Sequence, residues 1–201
     1  MEEWLNIVIR QLVLYSLPVL VSLTLVAMME ARLTRTQVPH PFYAIAWRGT
    51  WITLLSGLFF HRGLIIALPN FLQFGVKNAG IRFLTHLLLF GFGFLLFSWS
   101  LSYQAPTGLP PLHHWWAKVL MFFNLCMAAL HLIPLPLLLA GEYLQKVTGA
   151  AFLHKYLLKK SHAWLLVAVL TASPLLDMFL GAYIVFPVYE AVSSYAAQLA
   201  R

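Results

Sequence analysis

The segment Asn124–Leu144, with the sequence NLCMAALHLIPLPLLLAGEYL, carries the strongest structural signal in this chain. Pro134 and Pro136 stand two residues apart inside an apolar run, and small residues follow them. Proline has no backbone N–H and clashes with the preceding helical turn, so each one frees a carbonyl that lipid cannot satisfy. The sequence therefore predicts a broken helix, with a site or a packed cavity beside the break.

The composition around this segment is typical of a membrane protein. Of 201 residues, 61% are hydrophobic and only 9% are charged, and the mean hydropathy is +0.81. In a soluble domain roughly a quarter of the residues are charged, because its surface must face water. We therefore expect an all-α integral membrane protein that forms one membrane domain over residues 1–201.

Four apolar runs have about the 20 residues that a transmembrane helix needs. They are residues 11–29, 81–103, 117–140 and 163–188. Residues 42–80 form a further hydrophobic insert, which is interrupted by Arg48 and Pro69. The chain has about four spans if this insert stays on one side of the bilayer, and five or six if it crosses.

Basic residues favour the first alternative. With four spans, ten Lys and Arg residues fall on one side of the bilayer and three on the other, which is the asymmetry expected of a cytoplasmic side. The termini then lie outside, and residues 142–162 form an amphipathic helix on the cytoplasmic face. The formal charge of +7 is explained by orientation and by contact with lipid headgroups, so we expect no nucleic-acid partner.

The broken segment resembles the third core helix of the site-2 protease family of intramembrane zinc metalloproteases, whose pattern there is close to NLLPIPPLDGGRIL. An ungapped match places Leu139 at the family's Asp ligand and His131 at its Asn. The remaining matched positions are Pro134 and Pro136 at the two prolines and Gly141 at the second glycine.

Two further segments occur in the family's order. Asn78–Leu96 resembles the helix that carries the AGPLAN pattern, with Ala79 and Gly80 matching. Val26–Leu33, with the sequence VAMMEARL, occupies the place of the HExxH helix. There Glu30 matches the family's Glu, while Met29 and Leu33 stand where its two His ligands belong.

The resemblance implies the fold without the activity. Catalytic zinc needs three protein ligands and an open position, and neither Leu33 nor Leu139 can bind a metal. We therefore predict a pseudoprotease with no catalytic residues, no metal and no other cofactor. It acts as a scaffold or accessory subunit that holds partner transmembrane helices in a membrane complex, and the family points to the bacterial inner membrane. The candidates for lining the partner groove are His131, Pro134, Pro136 and Gly141.

Two alternatives have other functional classes. One is an active intramembrane metalloprotease with an atypical site near Glu30 and His131. The other is a haem- or quinone-associated subunit of a redox complex, because His86 and His131 fall at similar depths on adjacent helices. Two further polar residues, Arg48 and Asp177, are candidates because charges inside a membrane are usually functional.

Overall fold

The structure is a computed structural model that describes residues 2–45, 63–67, 75–103, 110–135, 137–148, 169 and 173–200. The regular elements in this part of the chain are all helical, which confirms the predicted all-α class. The four main helices are α1 (Glu2–Thr34), α2 (Val76–Leu101), α3 (Leu112–Leu130) and α4 (Leu139–Thr148). A short 3-10 turn spans Pro41–Ala44, and the C-terminal part is a π-helical segment, Asp177–Val185, followed by α5 (Phe186–Leu199).

The antiparallel pair α2 and α3 forms the centre of the fold. These two helices share the largest interface, and α1 packs against both of them. A Cβ atom at Gly93 would lie 2.7 Å from the backbone nitrogen of Met121, so the two backbones approach as closely as a glycine allows. Side chains from α1, α3 and the C-terminal part form the apolar core, including Leu23, Phe123 and Leu180.

The third predicted span, residues 117–140, is not one helix. Helix α3 ends at Leu130, and α4 begins only at Leu139. The reason is the predicted one, since Pro134 has no N–H to continue the helical ladder. The carbonyl of Leu130, which Pro134 leaves without its helical donor, accepts from the Ile133 backbone N–H at 3.1 Å, and the carbonyl of His131 accepts from the Ala140 backbone N–H at 3.0 Å. The chain after the break therefore folds back against the end of α3.

Close packing holds this break in place. A Cβ atom at Gly141 would overlap the carbonyl oxygen of Leu135, so α4 can return against the break only with glycine there. Leu137 has a left-handed backbone with φ of 75°, which costs a non-glycine residue about 1–3 kcal/mol. Such strain persists only where neighbouring groups fix the conformation.

Two described helical stretches, Val13–Thr34 and Val76–Leu101, are long and apolar enough to cross a membrane. Large apolar side chains cover their outer faces, for example Leu17, Leu88 and Leu95. The insert at 42–80, the amphipathic helix at 142–162 and the span at 163–188 are only partly within the described residues. Helix α4 covers the beginning of the second, and the π-helical segment with α5 covers the end of the third.

Candidate functional site

A buried ion pair lies where α1, α2 and the break meet. The guanidinium Nη1 of Arg82 donates to the Glu30 carboxylate at 2.6 Å, and both side chains are buried. The Nη2 of Arg82 donates to the backbone carbonyl of Leu137 at 2.9 Å. One guanidinium therefore ties α1 and α2 to the strained residue of the break.

A second carboxylate holds the same residue from the other side. Glu142, buried on α4, accepts from the backbone N–H of Leu137 at 3.0 Å and from that of Gly75 at 2.9 Å. Gly75 precedes α2, so the carboxylate also lies at the positive end of the α2 dipole. Both backbone polar groups of Leu137 are thus bound by charged side chains, which explains how its left-handed conformation is held.

The positions at which the resemblance would place zinc ligands do not converge on this site. Met29 and Leu33 lie one turn apart on the outer face of α1, and they are 38% and 53% exposed. Glu30 points about 100° away from Met29 and about 60° away from Leu33 around the helix, and it is buried. Leu139 is half-buried at the start of α4. The carboxylate implied by the resemblance is bound to Arg82 instead of facing a ligand set, and none of the described His, Cys, Asp and Glu residues form a group of three that could hold a metal ion.

A chain of neutral hydrogen bonds lies deeper in the bundle. Asn124 donates from Nδ2 to the Ser22 hydroxyl and to the Leu120 carbonyl, both at 2.8 Å. Its Oδ1 is therefore the acceptor for His86 Nδ1, which lies 2.8 Å away. This assigns the proton of neutral His86 to Nδ1 and leaves Nε2 as an acceptor, for which the described residues provide no hydrogen-bond donor.

The two histidines of the haem hypothesis are neighbours. The rings of His86 and His131 lie 6.1 Å apart and are tilted by 43°. His131 Nδ1 accepts from the Leu139 backbone N–H at 3.3 Å, so its neutral form carries the proton on Nε2. A macrocycle between these rings would have to enter the interface of α2 and α3, which the contact of Gly93 with Met121 closes two turns further along.

The four residues expected to line a partner groove separate into different environments. His131 and Gly141 are buried in the chain's own packing, whereas Pro134 is exposed, and Pro136 lies outside the described residues. A groove lined by His131 and Gly141 is therefore filled by the protein itself. The exposed edge of the break is formed by Pro134 and by Leu132, which is 50% exposed.

The other candidate charges have simpler surroundings. Asp177 accepts from the backbone N–H of Leu64 at 2.9 Å and is half-buried, so it connects the C-terminal part to the segment before α2. Arg48 lies outside the described residues.

Three of the residues that form the buried ion pair and the hydrogen bonds around it were not singled out from the sequence. In the sequence, Arg82 is one of the ten basic residues assigned to one side of the bilayer, Glu142 begins the predicted amphipathic helix, and Asn124 begins the segment that contains the break. A usable signal existed in the first case. Glu30 and Arg82 are opposite charges at the adjoining ends of two apolar runs, and charges at membrane depth usually pair with one another.

Comparison with protein-family models, with curated proteins and with solved structures found no match to this chain.

Proposed function

We propose that this chain is an integral membrane protein that acts without catalysis, as a scaffold or accessory subunit that binds transmembrane helices of partner proteins. The observation that carries the proposal is the buried bond between Glu30 and Arg82. In the site-2 protease family that the sequence resembles, the matching Glu acts beside a metal ion. Here a guanidinium neutralises the carboxylate, and the ligand positions Met29 and Leu33 face outward.

The membrane part of the proposal is supported by the surface. Exposed apolar side chains cover the outer faces of α1 and α2. On α2 they include Leu84, Leu88, Phe92 and Leu95. Soluble monomers rarely expose contiguous apolar patches of that kind. Lipid, or the apolar face of another transmembrane helix, is the natural neighbour of these residues.

The contact with a partner is best placed at the exposed edge of the break. Leu132 and Pro134 are exposed and precede Leu137 by five and three residues, and Arg82 and Glu142 bind the backbone of Leu137. A rigid, irregular edge offers a partner helix a shape that a plain helical surface lacks. Helix association within lipid depends on such close packing, because no hydrophobic driving force acts there.

Site-specific photocrosslinking in native membranes tests this placement. A benzophenone amino acid replaces Leu132 in one variant and Leu95 in the control, because Leu95 is 63% exposed but lies near the other end of α2. We expect a discrete protein adduct from position 132 and only lipid adducts from position 95. Equal protein adducts from both positions, or none from 132, would contradict the proposal.

Analysis of the purified chain, together with extraction of membranes that contain it, separates the alternatives. Stoichiometric zinc together with chelator-sensitive cleavage of a membrane substrate would establish a metalloprotease and overturn the scaffold. A Soret absorption band would establish the haem-associated subunit. Release of the chain from membranes by alkaline carbonate would refute membrane integration itself.

A further inference from the structure

Among the described residues, one end of the bundle has exposed positive charges and no exposed carboxylate beside them. We name this group the basic rim; its members are Arg32, Arg35, Lys77 and Lys146, and all four are exposed. They come from three different helices or helix ends. Their common location follows from the contacts of the buried site.

The bond between Glu30 and Arg82 sets the depth of three of these residues. Helices α1 and α2 run antiparallel through this contact. Arg35 follows Glu30 by five residues and Lys77 precedes Arg82 by five, so both lie roughly 7 Å further toward the same end. Arg32 lies between, on the last turn of α1.

The fourth member is placed by the Glu142 carboxylate, which binds the Gly75 N–H directly before α2. Lys146 follows Glu142 by one helical turn on α4. The beginning of α2, the end of α1 and the body of α4 therefore meet at one end of the bundle. Tyr143 precedes Lys146 by three residues on α4, and the 3-10 turn that contains Phe42 and Tyr43 packs against α1. All three aromatic side chains are exposed, as aromatic residues are at a membrane interface.

The chain contains six acidic residues, and none of them can neutralise the basic rim. No acidic residue occurs between Glu30 and Glu142. Those two are buried and bound, one to Arg82 and the other to backbone N–H groups. Asp177 binds the backbone of Leu64.

The remaining three are remote from the basic rim. Glu2 and Glu3 begin α1, about 45 Å from its other end. Glu190 follows Tyr189, whose ring packs on Phe122 in the middle of α3. The counter-ion of the basic rim must therefore come from outside the chain.

We propose that the basic rim binds the phosphate groups of anionic phospholipids in the leaflet that this end of the bundle faces. The inference rests on the membrane integration in the proposed function, but it does not depend on any partner protein. An exposed cation within a Debye length of an anionic leaflet is strongly attracted to it. The aromatic side chains beside the charges anchor the same end at the headgroup level.

The test compares the full chain in nanodiscs of phosphatidylcholine alone with nanodiscs that contain one quarter phosphatidylglycerol. Native mass spectrometry counts the retained phosphatidylglycerol, and thermal unfolding reports the stabilisation. We expect selective retention of phosphatidylglycerol and a higher Tm in its presence. The quadruple variant Arg32→Gln/Arg35→Gln/Lys77→Gln/Lys146→Gln should lose both effects, with a loss of about fivefold in lipid affinity for each charge removed.

Two controls match this variant. Exchanging Arg for Lys and Lys for Arg at the same four positions keeps the charge and should keep the lipid preference. Lys118→Gln removes a cation near the other end of the bundle, where the ammonium lies over the Trp115 ring at 5.5 Å, and should also leave the preference unchanged.

Three results would overturn the inference. They are equal retention of both lipids by the wild-type chain, an undiminished phosphatidylglycerol preference in the quadruple Gln variant, and the same stabilisation by millimolar inorganic phosphate, which would assign the site to a free anion. The proposed function is tested separately, because release of the chain from membranes by alkaline carbonate would already refute membrane integration. If the chain stays in the membrane but shows no preference for phosphatidylglycerol, only lipid binding by the basic rim is refuted.

Discussion

The ion pair between Glu30 and Arg82 predicts a large, non-additive response to mutation. In Arg82→Met, the Glu30 carboxylate stays buried without its nearest charge, and the Leu137 carbonyl loses its donor. Breaking a buried pair from one side costs about 3–5 kcal/mol. For a chain of this length, that corresponds to a decrease in Tm of roughly 6–20 °C. Glu30→Met should show a similar loss, because it leaves the guanidinium buried.

The double variant Glu30→Met/Arg82→Met provides the decisive measurement. Removing both charges removes the desolvation cost of both, so replacing a buried pair by apolar side chains is often neutral or stabilising. We expect the double variant to be more stable than either single variant, with a coupling energy of about 3 kcal/mol or more. The matched control is Arg32→Met, which removes an exposed arginine two residues from Glu30 and should change stability by less than about 0.5 kcal/mol.

Thermal unfolding of the purified chain in a neutral detergent, followed by tryptophan fluorescence, measures all four variants. The reasoning is refuted if either single variant costs less than about 1 kcal/mol, since a buried unpaired charge costs several. It is also refuted if the double variant is as unstable as the sum of the two single variants. That result would mean that the two charges contribute independently.

Three further predictions use the same unfolding measurement. Gly93→Ala should lower stability, because the new Cβ would lie 2.7 Å from the Met121 backbone nitrogen, whereas Gly91→Ala on the same helix has nothing within 4 Å and should be neutral or slightly stabilising; equal effects would contradict the close approach of α2 and α3. Arg35→Gly, in a neutral detergent, should raise stability by about 1 kcal/mol because φ of 56° at this position strains any side chain, and a loss of stability would refute the left-handed end of α1. Burial, and secondarily the neighbouring Lys118, lowers the pKa of His114 below 6.5, so the folded chain binds fewer protons than the unfolded chain. The resulting contribution to the free energy of unfolding is complete above pH 6.5, and it is lost as the pH falls toward the lower pKa of the folded state. His114→Gln should flatten that part of the pH profile, and an unchanged profile would contradict the assignment.

The sequence was sufficient for the helical class and for the position of the break. Both rest on local chemistry: composition requires helices in an apolar chain, and a proline in an apolar run ends a helix wherever it occurs. The pairing of Glu30 with Arg82 is different, since it joins residues 52 positions apart. Periodicity places each of them on a helix face, but only the packing of α1 against α2 brings the faces together.

The packing around His131 and Gly141 could not be predicted from the sequence for a related reason. A match to a family pattern aligns positions along the chain, but it does not show which groups fill the space between them. His131 stands at a position expected to face an open site, yet the Leu139 backbone N–H and the Phe83 ring occupy its surroundings. Gly141 was expected at the same groove, and its missing side chain is instead filled by the Leu135 carbonyl.

These contacts suggest what the broken helix contributes in a protein without the expected ligands. A metal ion draws several backbone segments together because it is a compact positive charge. Arg82 supplies a positive charge at the meeting point of α1, α2 and the break, and it binds one carboxylate and one carbonyl. Glu142 completes the arrangement by binding the N–H of the same strained residue. The break is therefore fixed by two covalently attached charges that cannot dissociate, as the proposed scaffold role would require, and Leu132 and Pro134 at its outer edge are exposed.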